Sequence, residues 1–190
     1  MELLKQYIKE QGKVLDHDIL KADAFLNHQI DVTLLQEIGK EFYNYFKDKN
    51  ITKILTIESS GIAIASIAAI YFNVPVVFAK KAESINLDGE MIISKVESYT
   101  KKKSYSAIVS KKFISPDDNI LILDDFLALG SASLALVDIV KSQKANIAGI
   151  GIVIEKSYQS GITKLKELDL DVYSLARIKS MSKEHIEYLD

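Results

Sequence analysis

The chain has 190 residues, of which 48% are hydrophobic, so it can form one domain with a substantial core. Its 24 Lys and Arg residues are balanced by 26 Asp and Glu, and a formal charge of -2 argues against a basic surface that binds nucleic acid. The absence of cysteine excludes disulfides and thiolate metal sites. No apolar run approaches the roughly 20 residues that cross a bilayer, and the charged N-terminal segment lacks the apolar core of a signal peptide. We therefore expect a soluble cytoplasmic protein with no membrane or nucleic-acid partner.

In chain order, helical and strand-like segments alternate. Apolar residues at helical spacing predict an amphipathic helix over 32–46, and further helices are predicted over 61–72 and 131–143. Short runs rich in β-branched residues predict strands at residues 51–57, 74–79, 105–114, 119–124, 147–155 and 171–178. Apolar strands that alternate with helices indicate a mainly parallel sheet covered on both faces. Residues 80–112 are polar and rich in Ser and Lys, which interrupts the alternation and predicts a hairpin or long flap at the sheet edge.

Two adjacent acids, Asp124 and Asp125, follow an apolar run and precede small residues around Gly130. Ligands of open parallel sheets bind outside the carboxyl ends of the strands, and a helix N-terminus binds anions through free N–H groups. Carboxylates accept hydrogen bonds from sugar hydroxyls, while Gly130, Ser131 and Ala132 let a phosphate approach the backbone. The pattern therefore predicts a sugar phosphate site. The alternative is that both acids only cap the next helix or lie in a solvated turn.

A second loop, residues 56–63, has the same character. Ser59, Ser60 and Gly61 immediately precede a predicted helix and offer hydroxyl and N–H groups to an anion. The tripeptide SSG is common in turns, so this loop alone is a weak indicator. Together with the first loop it predicts a substrate that carries phosphate groups at both ends.

The segment NILILDDFLALGSA, residues 119–132, resembles the 5-phosphoribosyl 1-diphosphate (PRPP) motif of type I phosphoribosyltransferases. In that motif, four apolar residues and two acids precede a loop of small and hydroxyl residues. The resemblance implies an α/β, type I phosphoribosyltransferase fold: a central, mainly parallel sheet flanked by helices, with a flexible flap and a small hood from the chain ends. We expect a single domain over 1–190, with a core at about 31–153 and the hood at about 1–30 and 154–190.

The phosphate loop departs from the family pattern at three positions. Members of the family usually have Thr, Gly and Thr where this chain has Leu129, Ser131 and Ala132. Two hydroxyls that the family uses for the 5′-phosphate are therefore missing. Ser131, Ser133 and backbone N–H groups are the candidate replacements.

The resemblance also implies roles for the matching residues. Asp124 and Asp125 are the catalytic pair, which holds the ribose and stabilises developing positive charge. The implied PRPP-binding residues are Ala128, Leu129, Gly130, Ser131, Ala132, Glu58, Ser59, Ser60, Gly61 and Lys81. A flexible catalytic loop would contain Ser98, Tyr99, Thr100 and Lys101. The implied cofactor is Mg²⁺, bound with PRPP rather than by the protein alone, and the implied assembly is a homodimer.

Residues 19–31 and 149–161 resemble the base-binding segments of purine-specific members of the family, which implies base contacts from Leu20, Asn27 and Lys156. Leu20 would offer apolar surface, Asn27 would bond a 2-oxo or 2-amino group, and Lys156 would donate to a 6-oxo group, which rejects adenine. The resemblance implies xanthine and PRPP as substrates, with xanthosine 5′-monophosphate (XMP) and pyrophosphate as products. Guanine or hypoxanthine as the base stays open, as does a PRPP-sensing regulator without catalysis. The residue types alone also allow a turn residue at Asn27 and a surface charge at Lys156.

Two other sequence features do not indicate a binding site. The segment GIGIVIE, residues 149–155, contains only part of a dinucleotide fingerprint, because the third glycine and the following helix are missing. NAD binding is therefore not expected. His17, His28 and His185 show no metal-ligand spacing.

Overall fold

The computed structural model describes residues 1–15, 18–82, 90–98 and 103–189, with only the backbone at 82, 96–98, 103 and 104. The predicted loop residues Tyr99, Thr100 and Lys101 lie outside the described residues, as does His17. The strands are β1 (Lys13–Val14), β2 (Leu20–Lys21), β3 (Lys53–Ile57), β4 (Val76–Ala82), β5 (Met91–Ser98), β6 (Lys103–Ser110), β7 (Asn119–Leu127), β8 (Asn146–Lys156), β9 (Val172–Met181) and β10 (Ile186–Tyr188). The helices are α1 (Glu2–Gln11), α2 (Val32–Phe46), α3 (Ser60–Phe72), α4 (Ser131–Ser142) and α5 (Gly161–Lys166).

An eight-stranded sheet forms the centre of the fold, in the order β10-β9-β8-β7-β3-β4-β6-β5. β3 pairs in parallel with β4 and β7, and β8 pairs in parallel with β7 and β9. The pairs at both edges, β4–β6, β6–β5 and β9–β10, are antiparallel. One buried cluster includes residues of α2 and α3, and a second includes residues of α4. The predicted α/β class, with a mainly parallel sheet between helices, is confirmed.

The polar segment that interrupts the alternation contains an antiparallel hairpin, as predicted. β5 and β6 pair in register from Met91↔Ser110 to Ser98↔Lys103. β4 is longer than predicted, because it continues past residue 79 to pair with β6 at Lys80↔Ile108 and Lys81↔Ala107. Lys81 therefore lies within a strand and not just after one. The apolar pattern could not predict this extension, because a distant hairpin supplies the pairing partner.

The amphipathic helix predicted over 32–46 is α2, and its start has a clear local cause. Asp31 precedes the helix, and its side chain accepts a hydrogen bond from the Leu34 N–H at 3.0 Å. Such a cap satisfies one of the N–H groups that have no partner within the helix. The apolar face of the helix is fully buried.

Gly149 and Gly151, the glycines of the partial dinucleotide fingerprint, have a packing role in β8. A Cβ at position 149 would lie 2.4 Å from a ring carbon of Phe46, and one at position 151 would lie 2.8 Å from a ring carbon of Phe42. Both phenylalanines belong to α2. The absence of a side chain at these two positions of β8 therefore allows α2 to approach the sheet closely.

The chain ends lie beside the β8–β9 side of the sheet. The N-terminal ammonium of Met1 donates to the Leu175 carbonyl of β9 at 2.6 Å, and the short strands β1 and β2 pair with each other. β10 is an addition to the predicted strands, and both β9 and β10 belong to the main sheet. The division into core and hood stays a prediction. Among the helices of the described residues, none has the length and hydropathy that crossing a membrane requires.

Candidate active site

The acid pair lies inside β7, whereas the sequence analysis ended this strand at residue 124. β7 continues to pair with β8 as far as Leu127↔Glu155, but its pairing with β3 ends at Leu55↔Ile122. Asp124 and Asp125 therefore occupy a part of β7 that has lost its neighbour on one side. This geometry opens the edge of the sheet beside the carboxylates, where a ligand of a parallel sheet is expected to bind.

Residues of β7 are divided between the two faces of the sheet. Ile122 joins the buried cluster that includes α4, and Leu123 joins the cluster that includes α2 and α3. Further along, Phe126 packs against the α2–α3 side, and Leu127 lies in the α4 cluster. The end of β7 thus presents side chains to both faces of the sheet.

Asp124 is an unusual carboxyl group, because only 3% of it is exposed. Burial raises its pKa well above the ordinary value, and the neighbouring charge of Asp125 raises it further, while Lys81 acts in the opposite direction. The Asp125 N–H donates to Asp124 Oδ1 at 3.0 Å. The pair is therefore a site that favours one bound proton, or the approach of hydroxyl groups and cations.

Lys81 and Tyr105 complete the surroundings of Asp124. The Lys81 ammonium lies 5.5 Å from the centre of the Tyr105 ring, an arrangement that allows a cation–π attraction. The pKa of Tyr105 is raised by burial and then by the charge of Asp124. The hairpin strand β6 thus brings an aromatic side chain to the acid pair, and this residue was missed in the sequence analysis.

The predicted phosphate loop, residues 128–132, leads directly into α4. Gly130 has φ +82° and a Cβ there would lie 2.9 Å from Gly161 Cα, so this position requires glycine. The Gly161 N–H donates to the Ala128 carbonyl at 2.9 Å, and Lys164 Nζ donates to the Leu129 carbonyl at 3.2 Å. The start of α5 therefore supports the loop from behind, a role that no local motif indicated.

The two serines proposed as replacements for the missing threonines differ in their exposure to solvent. Ser133 is only 1% exposed, and its Oγ is buried without a hydrogen-bond partner in the described residues. A ligand bound outside the loop cannot reach that atom. Ser131 is the first residue of α4 and is partly exposed. The N–H groups at 131–133 precede the first bond of the helix, from the Leu134 N–H to the Gly130 carbonyl at 2.8 Å, so they are oriented for an anion.

The second loop is held between β3, β4 and α3. The Glu58–Ser59 peptide bond is cis, Ser59 precedes the helix, and Ser60 is its first residue. Glu58 Oε1 accepts the Lys81 N–H at 2.6 Å, so the glutamate joins this loop to β4. A Cβ on Gly61 would lie 2.0 Å from the Thr56 hydroxyl, which is buried and unpartnered within the described residues.

The predicted base-binding residues have three different environments. Lys156 ends β8, is half-buried and donates through Nζ to the Asp18 carbonyl, two residues before Leu20. Burial lowers its pKa, and Asp18 opposes that shift. Leu20 is only 7% exposed, within the core cluster. Asn27 ends a π-helical turn, Asp23–Asn27, and is exposed.

Phe126 is a second residue that the sequence analysis missed. The centre of its ring lies 6.0 Å from Lys156 Nζ, because Phe126 pairs with Ile154 and Lys156 follows two residues later on the same strand. An aromatic face therefore lies beside the candidate base-binding lysine. Simple alternation along β7 would place Phe126 on the face of Ile122, whereas its ring packs on the α2–α3 side, so the sequence pattern could not indicate this contact.

The described residues include no cluster of three or more His, Asp or Glu side chains that could hold a metal ion by themselves. The oxygen donors at the acid pair are the two adjacent carboxylates of Asp124 and Asp125. Mg²⁺ prefers oxygen ligands and commonly combines one or two carboxylates with water and substrate phosphates. The side chains present therefore fit a Mg²⁺ ion that arrives with a phosphorylated substrate.

The fold and these loops define an α/β protein with a mainly parallel sheet, in which two small-residue loops follow the carboxyl ends of the adjacent strands β3 and β7. A family model described as the phosphoribosyl transferase domain matches residues 22–188, and the chain belongs to that family. Xanthine phosphoribosyltransferase from Lachnoclostridium phytofermentans is 56% identical over 184 residues, which cover 97% of this chain and 95% of that protein. The protein of the same name from Ruminiclostridium cellulolyticum is 55% identical over 190 residues, covering 100% of both chains.

Solved structures agree on the architecture. The crystal structure of APRTase from Giardia lamblia complexed with 9-deazaadenine has a TM-score of 0.75 at 23% identity and covers 90% of this chain and 96% of that chain. Adenine phosphoribosyltransferase from Saccharomyces cerevisiae gives a TM-score of 0.73, also at 23% identity, and covers 92% of this chain and 99% of that chain. At such identities the likeness concerns the fold alone.

The raised pKa of Asp124 leads to a prediction about stability. In the unfolded chain this carboxyl ionises near pH 4, but in the folded protein burial and Asp125 oppose its charge. Its contribution to stability is therefore present at low pH and is lost as the pH rises through the folded pKa. Asp124→Asn removes the charge and keeps the oxygen that accepts the Asp125 N–H. We expect the variant to melt a few degrees above wild type at pH 7.5, with a difference that shrinks toward pH 4.

Thermal unfolding followed by circular dichroism at several pH values measures this difference. Asp48→Asn, at an exposed position, is the matched control and should leave the melting temperature nearly unchanged at each pH. A wild-type protein that is more stable than Asp124→Asn at pH 7.5 would contradict the assignment of a raised pKa to Asp124.

Proposed function

We propose that this chain is a xanthine phosphoribosyltransferase, which transfers the 5-phosphoribosyl group from PRPP to xanthine and releases XMP and pyrophosphate. The observation that supports this most strongly is the placement of the acid pair, both small-residue loops and Lys156 at the ends of adjacent strands. Relatives that carry this name are 55–56% identical over nearly the whole chain. The adenine-specific neighbours share only the fold, so they do not bear on the choice of base.

The two ends of PRPP have separate sites in this proposal. The 5′-phosphate binds residues 128–132, where the free N–H groups at the start of α4 and the Ser131 hydroxyl stand in for the missing threonines. The pyrophosphate binds Ser59, Ser60 and Gly61 at the start of α3, with Lys81 nearby. Glu58 acts by holding the loop, which its bond to the Lys81 N–H supports. Helix N-termini favour phosphate groups through N–H donors and the helix dipole.

Asp124 and Asp125 hold the ribose hydroxyls between these two phosphate sites. Positive charge develops on the ribose as its bond to pyrophosphate breaks, and a purine nitrogen attacks from the opposite face. The adjacent carboxylates favour that charge through electrostatic stabilisation, which requires no covalent step from the protein. Asp124 and Asp125, together with water and PRPP oxygens, would hold Mg²⁺, which would supply positive charge that offsets the charge of the leaving group.

The purine lies between Phe126 and the segment that contains Leu20 and Asn27. Lys156 donates to the 6-oxo group, Asn27 contacts the 2-position, and the Phe126 ring covers one face of the base. Lys156 keeps further N–H donors beyond the one that it shares with the Asp18 carbonyl, because an ammonium group has three. An amino group at the 6-position would face this donor without an acceptor, so adenine is rejected.

The loop that contains Ser98, Tyr99, Thr100 and Lys101 closes over the pyrophosphate and excludes water. The described part of this segment is Ser98, the last residue of β5, and Tyr99, Thr100 and Lys101 enter the proposal from the sequence alone. β6 brings Tyr105 to Lys81, so the described part of the β5–β6 hairpin reaches the proposed PRPP site. A cytoplasmic location stays a prediction from the sequence.

A homodimer belongs to the same proposal. Phe78 and Phe113 are 38% and 48% exposed, beside an apolar cavity of about 300 Å³ that β4, β5 and β6 line. Exposed apolar patches of this kind commonly mark protein interfaces.

The homodimer can be tested by analytical ultracentrifugation. We expect wild-type protein to sediment at twice the 21.2 kDa of one chain and Phe113→Glu to sediment as a monomer. Leu168→Glu, at another exposed apolar residue, should stay dimeric, and a monomeric wild type would contradict the homodimer.

The proposed activity is tested by pyrophosphate release from PRPP and Mg²⁺, with xanthine, guanine, hypoxanthine, adenine and uracil supplied separately. We expect release with xanthine to exceed release with any other base, because only an oxopurine matches Lys156 and the 2-oxo group matches Asn27. Preference for guanine or hypoxanthine would overturn the choice of base but leave the PRPP site in place.

The acid-pair variants provide the control for this assay. Asp124→Asn and Asp125→Asn keep the shape of the site and remove charge, so we expect both to retain the fold and to lower turnover by about 100-fold or more. Release that is equal to wild type would contradict the catalytic role. Binding of PRPP by wild-type protein without release in the presence of any base would favour a PRPP-sensing regulator.

A further inference from the structure

Glu155 is a buried carboxyl group for which the proposed reaction has no direct use. It is the penultimate residue of β8 and only 2% exposed. Its Oε1 accepts the Ser157 hydroxyl at 2.5 Å, and its Oε2 accepts the Ser174 hydroxyl at 2.6 Å. Arg177 Nε lies 4.0 Å from Oε1. A carboxyl group that is removed from water in this way persists only when its oxygens are well bonded.

The bonds of Glu155 connect the residue after Lys156 with the neighbouring strand. Ser157 directly follows Lys156, and Ser174 lies on the neighbouring strand β9. The Ser157 N–H also donates to the Ile178 carbonyl at 2.8 Å. The carboxylate therefore joins the turn after Lys156 to β9, and the backbone on both sides of the lysine is held.

Glu155 and Lys156 extend to opposite faces of β8, as consecutive strand residues do. Glu155 pairs in register with Leu127, in the cluster that includes α4, and lines a cavity with Ile162 of α5. Lys156 lies on the other face, with its ammonium near the Asp18 carbonyl and the Phe126 ring. Glu155 consequently has no contact with the proposed base and acts only through the backbone.

We propose that Glu155 is a positioning residue for Lys156, whose bonds to Ser157 and Ser174 set the place of the Lys156 ammonium and thereby the affinity for the 6-oxo group. This inference rests on the proposed function and adds a determinant of base recognition to it. Small displacements of a binding group have large effects on a site that requires close alignment. The bond between Ser157 and Glu155 is the most direct link, because these two residues immediately precede and follow Lys156 in the chain.

The test compares Ser157→Ala with Ser157→Thr, which keeps a hydroxyl group. We expect Ser157→Ala to raise the KM for xanthine about tenfold, the order expected for a lost hydrogen bond to a charged group. The KM for PRPP should stay within about twofold of wild type, since Ser157 bonds Glu155 and the Ile178 carbonyl rather than either proposed PRPP loop. Ser157→Thr should restore the KM for xanthine. Glu155→Gln is the second variant and should show the same selective increase.

Ser180→Ala is the matched control, because Ser180 donates to Glu187 at 3.1 Å, a similar bond at an exposed place on β9 and β10. It should leave both KM values unchanged. The inference is overturned if Ser157→Ala leaves the KM for xanthine unchanged, raises both KM values equally, or only lowers the melting temperature. Turnover of xanthine by the wild-type protein in the same assay tests the proposed function separately. Absence of that turnover would contradict the proposed function, whereas an unchanged KM in Ser157→Ala would contradict only the role of Glu155.

Discussion

The pairing of β7 with β8 beyond the end of β3 is the constraint on which the site depends. β7 loses its β3 partner after Ile122, but the pairs with β8 continue to Leu127↔Glu155. This extension holds Asp124 and Asp125 in regular backbone at an open edge. It also brings the Phe126 ring beside Lys156, and it places Glu155 where it can hold the end of β8.

Contacts between segments that are distant in sequence support the loops at this edge. Gly161 packs against Gly130 and bonds the Ala128 carbonyl, so α5 shapes the loop that precedes α4. Glu58 bonds the backbone of β4, and Thr56 occupies the space that Gly61 leaves free. Small residues in both loops thus allow a neighbour to pack closely, and in the proposed function they also let a phosphate approach the backbone.

The sequence predicted the parts of the fold that depend on local pattern. The apolar face of α2, the α/β alternation, the β5–β6 hairpin and the family were all correctly predicted, because periodicity and a contiguous motif carry that information. The end of β7, the length of β4 and the strand β10 were not, since each depends on a partner strand far along the chain.

The same distinction applies to the site residues. The acid pair and both small-residue loops were identified from short motifs, and the structure brings them to one edge of the sheet. Tyr105, Phe126 and Gly161 were missed, because nothing in their local sequence indicates what they contact. The burial of Ser133 likewise could not be predicted from its position in the motif, although it excludes that hydroxyl from phosphate binding.

The most direct test is a crystal structure of the protein with bound XMP. We expect the 5′-phosphate on the N–H groups of residues 131–133 and the ribose hydroxyls on Asp124 and Asp125. The purine should lie between Phe126 and Leu20, with its 6-oxo group bonded to Lys156. A phosphate bound at Ser59–Gly61, or a purine away from Lys156, would contradict the assignment of the two loops and of the base site.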